Sequence, residues 1–233
     1  MNNNSKILFH NLLKRNRKNI TDHQLGQLAY YEELLSNWNK KINLVSRKDE
    51  ENIWSRQIIG SISFLFQYEL ESKSRMVDVG TGGGLPGIPL AILYPESLIT
   101  LIDSIQKKVN AVEDMVQSLQ LKNVKCYCGR AEELSRKDEL HESFDYVISR
   151  AVAPIRDIMK WCKPFLKQHE IKDCATNNLI QRGSFIFLKG GDLADELSAA
   201  QVKFKPRDIQ NYELPLIAEI PELTDKRIIL IKP

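Results

Sequence analysis

The N-terminal part of the chain carries its apolar side chains at helical spacing. Thr21 is a typical N-cap residue, and after it one apolar stripe recurs every three or four residues: Leu25, Leu28, Leu34, Leu35 and Trp38. A second helix is predicted over residues 51–68. Since neither segment contains proline, we expect residues 1–72 to form an N-terminal helical cap.

The hydrophobic pattern changes near residue 73, where short apolar runs begin to alternate with amphipathic stretches. The runs predict strands over residues 76–80, 98–103, 124–128, 144–149 and 184–188. Between them, helices are predicted over residues 85–94, 105–121 and 155–166, and the tail predicts a further helix and strands near 212–217 and 227–231. This alternation is typical of an α/β fold, so we expect a doubly wound, mostly parallel sheet over residues 73–233.

Length and composition narrow the class of protein further. With 233 residues, 42% of them hydrophobic, the chain can bury one substantial core. No apolar run approaches the roughly 20 residues that span a bilayer. The N-terminus also lacks the apolar centre of a signal peptide. We therefore expect a cytoplasmic protein that does not contact membranes, with a monomer as the default state.

The cysteines do not predict a metal site. Cys126, Cys128, Cys162 and Cys174 form no CxxC pair, and the four histidines are scattered along the chain. We interpret the cysteines as small buried thiols rather than ligands or redox groups.

The net charge of +3 is unevenly distributed. Before Asp22 the chain has no acidic residue but five basic ones: Lys6, Lys14, Arg15, Arg17 and Lys18. A polyanion partner and an ordinary solvated helix face both account for this pattern, and charge alone does not decide between them.

Four of the eleven glycines lie within five positions of the stretch V-D-V-G-T-G-G-G, residues 77–84. The stretch follows the first predicted strand, and in doubly wound sheets ligands bind at the carboxyl ends of the strands. No Walker lysine follows it, and a carboxylate at Asp78 would oppose a pyrophosphate. Asp103 ends the second predicted strand, where it can accept hydrogen bonds from a ribose. The combination favours S-adenosylmethionine over a dinucleotide, with Asp78, Gly80, Gly82 and Gly84 forming the loop around it.

Several motifs together resemble the bacterial 16S rRNA guanine-N7 methyltransferase family known as RsmG or GidB. They are D-V-G-T-G-G-G-L-P-G-I-P-L (78–90), L-I-D-S (101–104), R-A-E-E (130–133), F-D-Y-V-I-S-R-A (144–151) and L-K-G (188–190), with W-N-K-K-I-N-L (38–44) in the helical region. The resemblance runs from about residue 25 to the end of the chain. The chain departs from the family at R-Q-I-I-G-S-I (56–62), where Gln57 and Gly60 replace a typical histidine and aspartate.

The resemblance implies a class I S-adenosylmethionine-dependent methyltransferase with a Rossmann-like sheet and an N-terminal helical segment. It also implies how the cofactor is held. Gly80 and Leu85 would line its methionine end. Asp103 and Ser104 would face the ribose and adenine. Ala131 and Glu132 would flank the adenine ring, and Arg150 would lie beside the methyl-transfer site as a positioning residue.

The implied reaction needs no general base, because guanine N7 has an exposed lone pair and no proton. The substrate would be 16S rRNA in the small ribosomal subunit, with phosphate contacts expected from Arg56, Lys189 and Arg227. Two alternatives stay open from the residues themselves. One is a small-molecule methyltransferase of the same fold. The other is a nucleotide-binding oxidoreductase or a non-catalytic RNA-binding module.

Overall fold

The computed structural model of the chain describes residues 7, 11, 20–46, 50, 52–168, 178–214, 223 and 225–233. The basic residues before Asp22 and most of the loop at 167–182 lie outside the described residues. Among the described residues, no helix is both long and apolar enough to cross a membrane.

Seven strands form one sheet in the order β3-β2-β1-β4-β5-β7-β6. They are β1 (Arg75–Val79), β2 (Leu98–Asp103), β3 (Val124–Cys128), β4 (Tyr146–Arg150), β5 (Ser184–Gly190), β6 (Asp208–Glu213) and β7 (Lys226–Lys232). The first five strands pair in parallel, whereas β7 runs antiparallel between β5 and β6. The sheet order reverses beside β1, so β1 and β4 mark the topological switch where doubly wound sheets bind ligands.

Helices cover both faces of this sheet. The longer α-helices of the described residues are α1 (Asp22–Asn39), α2 (Gly87–Leu93), α3 (Gln106–Ser118), α4 (Ala131–Leu134), α5 (Ile155–Cys162) and α6 (Ala194–Phe204). One apolar core lies between the sheet and α1, α2 and α3, and a second lies between the sheet and α4, α5 and α6. The sheet and helices confirm the predicted class I, Rossmann-like α/β fold.

The helix α1 begins where the sequence predicts. Thr21 caps it, and its hydroxyl and backbone N–H form a reciprocal capping box with Gln24. Leu28, Tyr31 and Leu35 are fully buried on its inner face. The side chain of Gln24 also donates to the Ile92 carbonyl at 2.8 Å, so this helix is fastened to α2. The N-terminal elements thus share a core with the sheet, and the domain division after residue 72 stays a prediction.

The second predicted helix is wrong as one regular α-helix. Residues Ile53–Ile59 form a π-helix, Gly60–Ile62 a single α-turn and Ser63–Phe66 a 3₁₀ turn. Twelve of these fourteen residues are buried, so packing on all sides overrides the regular 3.6-residue period. The predicted helix 155–166 likewise ends earlier, at Cys162, because Pro164 cannot donate a hydrogen bond within an α-helix.

Candidate active site

A cavity of about 510 Å³ opens at the carboxyl ends of β1, β2 and β4. Its size lies within the roughly 300–1,000 Å³ typical of small-molecule sites. Eight of the ten residues predicted to bind the cofactor line this cavity, and Asp78 and Gly84 do not. The eight are Gly80, Gly82, Leu85, Asp103, Ser104, Ala131, Glu132 and Arg150. The topology therefore brings together side chains that lie up to 70 positions apart in the sequence.

The glycine loop that follows β1 is fixed by backbone hydrogen bonds. Gly80 and Thr81 both donate their N–H groups to the Ile102 carbonyl, at 2.8 and 2.9 Å. Gly80 has φ of +71° and Gly82 has φ of +58°, a region that side chains other than glycine rarely adopt. The space where a Cβ of Gly80 would lie is filled by Val152, while the space beside Gly82 is nearly open. The loop thus turns sharply and leaves its backbone exposed to the cavity at Gly82.

Asp103 ties this loop to the next strand-to-helix connection. One carboxylate oxygen accepts the N–H of Gly82 and the other accepts the N–H of Ile105, both at 3.0 Å. Each oxygen keeps a second lone pair for another donor. Asp103 is therefore a fixed acceptor in the cavity wall.

Asp78 does not lie in the cavity wall, contrary to the sequence-based expectation. Its side chain is 1% exposed, and Oδ2 accepts the Thr81 hydroxyl at 2.7 Å and the Gly87 N–H at 2.9 Å. Oδ1 is buried without a hydrogen-bond partner among the described residues. Burial raises the pKa of Asp78 to about 6, against the opposing effect of the Thr81 and Gly87 hydrogen bonds and of the Arg150 charge. Asp78 braces the inside of the loop.

Gly84 also serves the interior rather than the cavity. Gly84 does not line the cavity as the described residues form it, and its φ is +94°. A Cβ there would meet Ile88, with the Tyr31 hydroxyl at 3.4 Å. Tyr31 in turn donates to the Gly83 carbonyl at 2.8 Å, and its burial raises its pKa well above the usual range. Gly84 therefore leaves room for the contact between α1 and the glycine loop.

The N-terminal region contributes directly to the cavity through Leu44, a residue that the sequence reasoning missed. Asn39 holds this segment: its amide oxygen accepts the N–H groups of Leu44 and Val45 at 2.8 and 2.9 Å. Leu44 belongs to the W-N-K-K-I-N-L motif, which was a signal for its importance but not for its location.

Arg150 ends β4 and lines the cavity, as predicted. Its Nη2 donates to the Gln57 amide oxygen at 2.7 Å. Gln57 was noted only as a departure from the family pattern, and no sequence motif indicates that it contacts Arg150.

The expected RNA-contacting cations lie elsewhere. The described lining residues do not include Arg56, Lys189 or Arg227. Lys189 is 12% exposed, and its ammonium donates to Glu196 at 2.6 Å and to the Ala153 carbonyl at 3.0 Å. It therefore does not present a free charge to solvent, because the carboxylate neutralises it and the loop after β4 covers it.

Arg227 and Arg56 are also engaged within the fold. Arg227 donates to the Asn211 side chain at 2.7 Å and pairs with Glu213 at 3.5 Å. Arg56 is half-buried on the π-helix. Besides Arg150, the cations among the described residues that line the cavity are Lys108 and Arg130, neither of which was singled out from the sequence.

The cysteines differ in exposure. Cys162 is buried, Cys126 is half-buried and Cys128 is exposed, so the expectation of buried thiols is wrong for Cys128. Cys126 and Cys128 lie on β3, a strand whose side chains are only partly covered. Cys174 lies outside the described residues. Within the part of the chain that the structure describes, no group of three His, Cys, Asp or Glu side chains could hold a metal ion.

The amino-acid sequence of this chain is similar to those of known proteins. Residues 24–224 match the model of the family GidB, described as rRNA small subunit methyltransferase G. The chain is 39% identical over 186 residues to ribosomal RNA small subunit methyltransferase G of Christiangramia forsetii, covering 80% of this chain and 82% of that protein. The protein of the same name from Flavobacterium johnsoniae is 42% identical over 180 residues, covering 77% and 79% of the two chains.

Solved structures support the fold. A SAM-dependent methyltransferase from Aquifex aeolicus superposes with a TM-score of 0.54 at 13% identity, covering 84% of this chain and 97% of that one. The Methanococcus jannaschii fibrillarin pre-rRNA processing protein gives a TM-score of 0.53 at 11% identity, covering 73% and 72%. At these identities the likeness concerns the fold alone.

Proposed function

Because this chain belongs to the GidB family, rRNA small subunit methyltransferase G, we propose that it methylates N7 of one guanine in 16S rRNA with S-adenosylmethionine as donor. The observation that carries the proposal is the cavity at the switch point, whose wall joins the exposed backbone of Gly82 to the fixed carboxylate of Asp103. The two relatives described above are named as methyltransferases of small-subunit ribosomal RNA.

The residues of the cavity fit this cofactor. Asp103 retains lone pairs for the ribose hydroxyls, and Ser104 lies next to it in the wall. Ile105 and Ala131 offer apolar surface to an adenine ring, with Glu132 beside them. The open space at Gly82 admits the methionine portion close to the backbone.

The chemistry requires positioning more than proton transfer. When bound, S-adenosylmethionine supplies a methyl group on a positively charged sulfur. Guanine N7 is already a nucleophile, so the chain has only to orient it and to exclude water. Orientation alone can contribute roughly 7–11 kcal/mol to such a reaction. Arg150 at the end of β4 is the residue that we assign to positioning the substrate.

The substrate is too large for the cavity and must enter it as a single exposed base. Guanine in a duplex hides its reactive edge in a deep groove, so a loop nucleotide or a flipped base is the expected target. Lys108 and Arg130 line the cavity, and we assign to them the contacts with the phosphates beside that base.

We infer that the protein acts as a monomer in the cytoplasm, where ribosomal subunits assemble.

A labelling experiment tests the proposal. The protein is incubated with labelled S-adenosylmethionine and small ribosomal subunits from cells that lack this activity, and the rRNA is then cleaved chemically at N7-methylguanine. We expect label at one guanine. Tight cofactor binding without label on subunits or on free 16S rRNA would overturn the RNA assignment and favour a small-molecule methyltransferase. Binding of NAD in place of S-adenosylmethionine would favour an oxidoreductase.

A further inference from the structure

Residues 151–154, which connect β4 to α5, form one wall of the cavity, and we call them the β4–α5 loop. Ala151, Val152 and Ala153 all line the cavity. Val152 also fills the space where a Cβ of Gly80 would lie, so the β4–α5 loop packs directly on the glycine loop. A movement of the β4–α5 loop would therefore change the shape of the cavity.

Apolar burial does not hold the β4–α5 loop in place. Ala151 and Pro154 are exposed, and Val152 is 43% exposed. Ala151 also has φ of +54°, a strained backbone conformation for a residue that carries a Cβ. Because such a conformation persists only where surrounding contacts fix it, polar contacts have to hold the loop.

Strand β5 supplies polar contacts at both ends of the β4–α5 loop. The Leu188 carbonyl accepts the Ala151 N–H at 3.2 Å. The next residue, Lys189, donates from its ammonium to the Ala153 carbonyl at 3.0 Å. Val152 is thus held on Gly80 between two points that β5 fixes.

Glu196 on α6 completes this arrangement. Its Oε2 accepts the Lys189 ammonium at 2.6 Å and the Ile155 N–H at 2.9 Å. Ile155 is the first residue of α5, where the N–H has no partner within the helix, and Pro154 before it has no polar side chain. Since a negative charge is favourable at a helix N-terminus, the carboxylate fixes the start of α5 as well as the ammonium.

We propose that Lys189 is a positioning residue that, paired with Glu196, holds the β4–α5 loop against the glycine loop and so keeps the cavity in the shape that binds S-adenosylmethionine. Lys189 is 12% exposed and does not line the cavity as the described residues form it, so it acts through the loop and not on the ligand. The proposal rests on the proposed function only in taking S-adenosylmethionine as the occupant of the cavity.

Two variants break the pair in different ways. Lys189→Met removes both hydrogen bonds of the ammonium while keeping a side chain of similar length. Glu196→Gln keeps an acceptor for the Ile155 N–H but removes the charge that faces Lys189. Circular dichroism checks that each variant is folded.

Arg182→Met is the matched control. Arg182 likewise joins a carboxylate, that of Glu71 at 2.8 Å, to a backbone carbonyl, that of Ser72 at 3.4 Å. It precedes β5, whereas Lys189 lies near the carboxyl end of that strand. A loss of one internal cation should therefore affect stability in both proteins but the cavity only in Lys189→Met.

Calorimetric titration with S-adenosylmethionine gives the first result. We expect the dissociation constant to rise about tenfold in Lys189→Met, because the β4–α5 loop loses one of its fixed points. In Glu196→Gln it should rise about threefold, since a neutral acceptor binds an ammonium more weakly than a carboxylate does. In Arg182→Met it should stay within about twofold of the wild type. Cofactor affinity of the wild type in both Lys189→Met and Glu196→Gln would overturn the proposal.

The salt dependence of methylation separates this role from a direct contact with RNA. The slope of log kcat/KM for small subunits against log salt should be the same in Lys189→Met as in the wild type. If Lys189 bound a phosphate of the RNA, its removal would make the slope shallower by about 1 and leave the cofactor affinity unchanged. That pair of results would overturn the proposal.

Hydrogen exchange tests the β4–α5 loop without cofactor or RNA. The amides of residues 151–155 should exchange about tenfold faster in Lys189→Met than in the wild type, because local opening of the loop becomes easier, and should be unchanged in Arg182→Met. Equal exchange in the two variants would overturn the positioning role. Faster exchange in Lys189→Met, from a wild type that binds S-adenosylmethionine but does not label subunits, would support the positioning role and refute the rRNA assignment alone.

Discussion

Two carboxylates stand at the ends of neighbouring parallel strands, yet they serve different parts of the molecule. Asp78 points into the interior of the glycine loop, where it braces Thr81 and Gly87. Asp103 points into the cavity wall, where it holds Gly82 and Ile105. We call the first region the loop interior and the second the cavity wall.

A carboxylate beside a ligand-binding loop therefore does not always face the bound ligand. Both oxygens of Asp103 accept backbone N–H groups, so the charge is stabilised where it stands. Among the described residues, only one oxygen of Asp78 accepts hydrogen bonds, and burial of the side chain makes its charge costly. Substitutions in the two regions should therefore have effects of different kinds.

The largest effect is expected at Gly80 in the cavity wall. Gly80→Val places a β-branched side chain at φ of +71° and against Val152, so the loop must deform. We expect the affinity for S-adenosylmethionine to fall at least about 100-fold, which corresponds to about 3 kcal/mol. Calorimetric titration of the folded variant, checked by circular dichroism, measures this. Normal cofactor binding by that variant would show that the cavity wall is assigned wrongly.

A gain in stability is expected from Asp78→Asn in the loop interior. The pKa of Asp78 is raised to about 6 from an ordinary 3.8, so the folded protein binds more protons than the unfolded chain between these values. The stabilisation that this extra proton on Asp78 provides is fully present below about pH 4 and is lost as the pH rises through about 6. A shift of about two units corresponds to about 3 kcal/mol.

Asparagine carries no such charge, so the variant should be more stable than the wild type above pH 6 by up to about 3 kcal/mol, with the two converging towards pH 4. Urea unfolding at several pH values measures the difference. If the wild type is as stable as Asp78→Asn at pH 8, or more stable, burial does not make the Asp78 carboxylate destabilising.

The corresponding aspartate-to-asparagine change on the neighbouring strand β2 should lower the stability of the protein instead of raising it. In Asp103→Asn the amide can accept only through its oxygen, so one of the two backbone N–H groups loses its partner. We expect stability at pH 7 to fall by about 1–2 kcal/mol and the cofactor to bind about tenfold more weakly. Unfolding and titration on the same sample measure both. A stabilised Asp103→Asn protein would remove the distinction between the two regions.

Local patterns explain how much of this architecture the sequence could predict. Thr21 and Gln24 specify the start of α1 because a capping box is a contact between residues three apart. The central strands were predictable because parallel strands that are buried on both faces read as apolar runs. The stretch from Ile53 to Phe66 was not, since burial on every side removes the period that distinguishes helix types.

The site was predictable as a set of positions but not as a set of contacts. The motifs identified Arg150 and Asp103, both of which line the cavity. The hydrogen bond from Arg150 to Gln57 joins residues 93 positions apart, and no local pattern encodes it. The ion pair of Lys189 was not predictable for the same reason: its partner Glu196 lies on α6, and only the fold brings the pair together.

The smallest effect is expected at Gly82, where strain can be separated from crowding. Gly82 has φ of +58°, but within the described part of the chain the atom nearest to a Cβ there is the Leu44 carbonyl oxygen at 3.9 Å. Gly82→Ala should therefore cost only the backbone strain, about 1 kcal/mol.

Gly84→Ala is its counterpart in the loop interior, where the added Cβ also meets Ile88. It should cost more than Gly82→Ala in the free energy of unfolding, because crowding adds to strain. The order should reverse for the cofactor, since only the methyl group at residue 82 enters the cavity. Equal losses of stability, or weaker cofactor binding by Gly84→Ala than by Gly82→Ala, would mean that the two faces of the loop are not distinct.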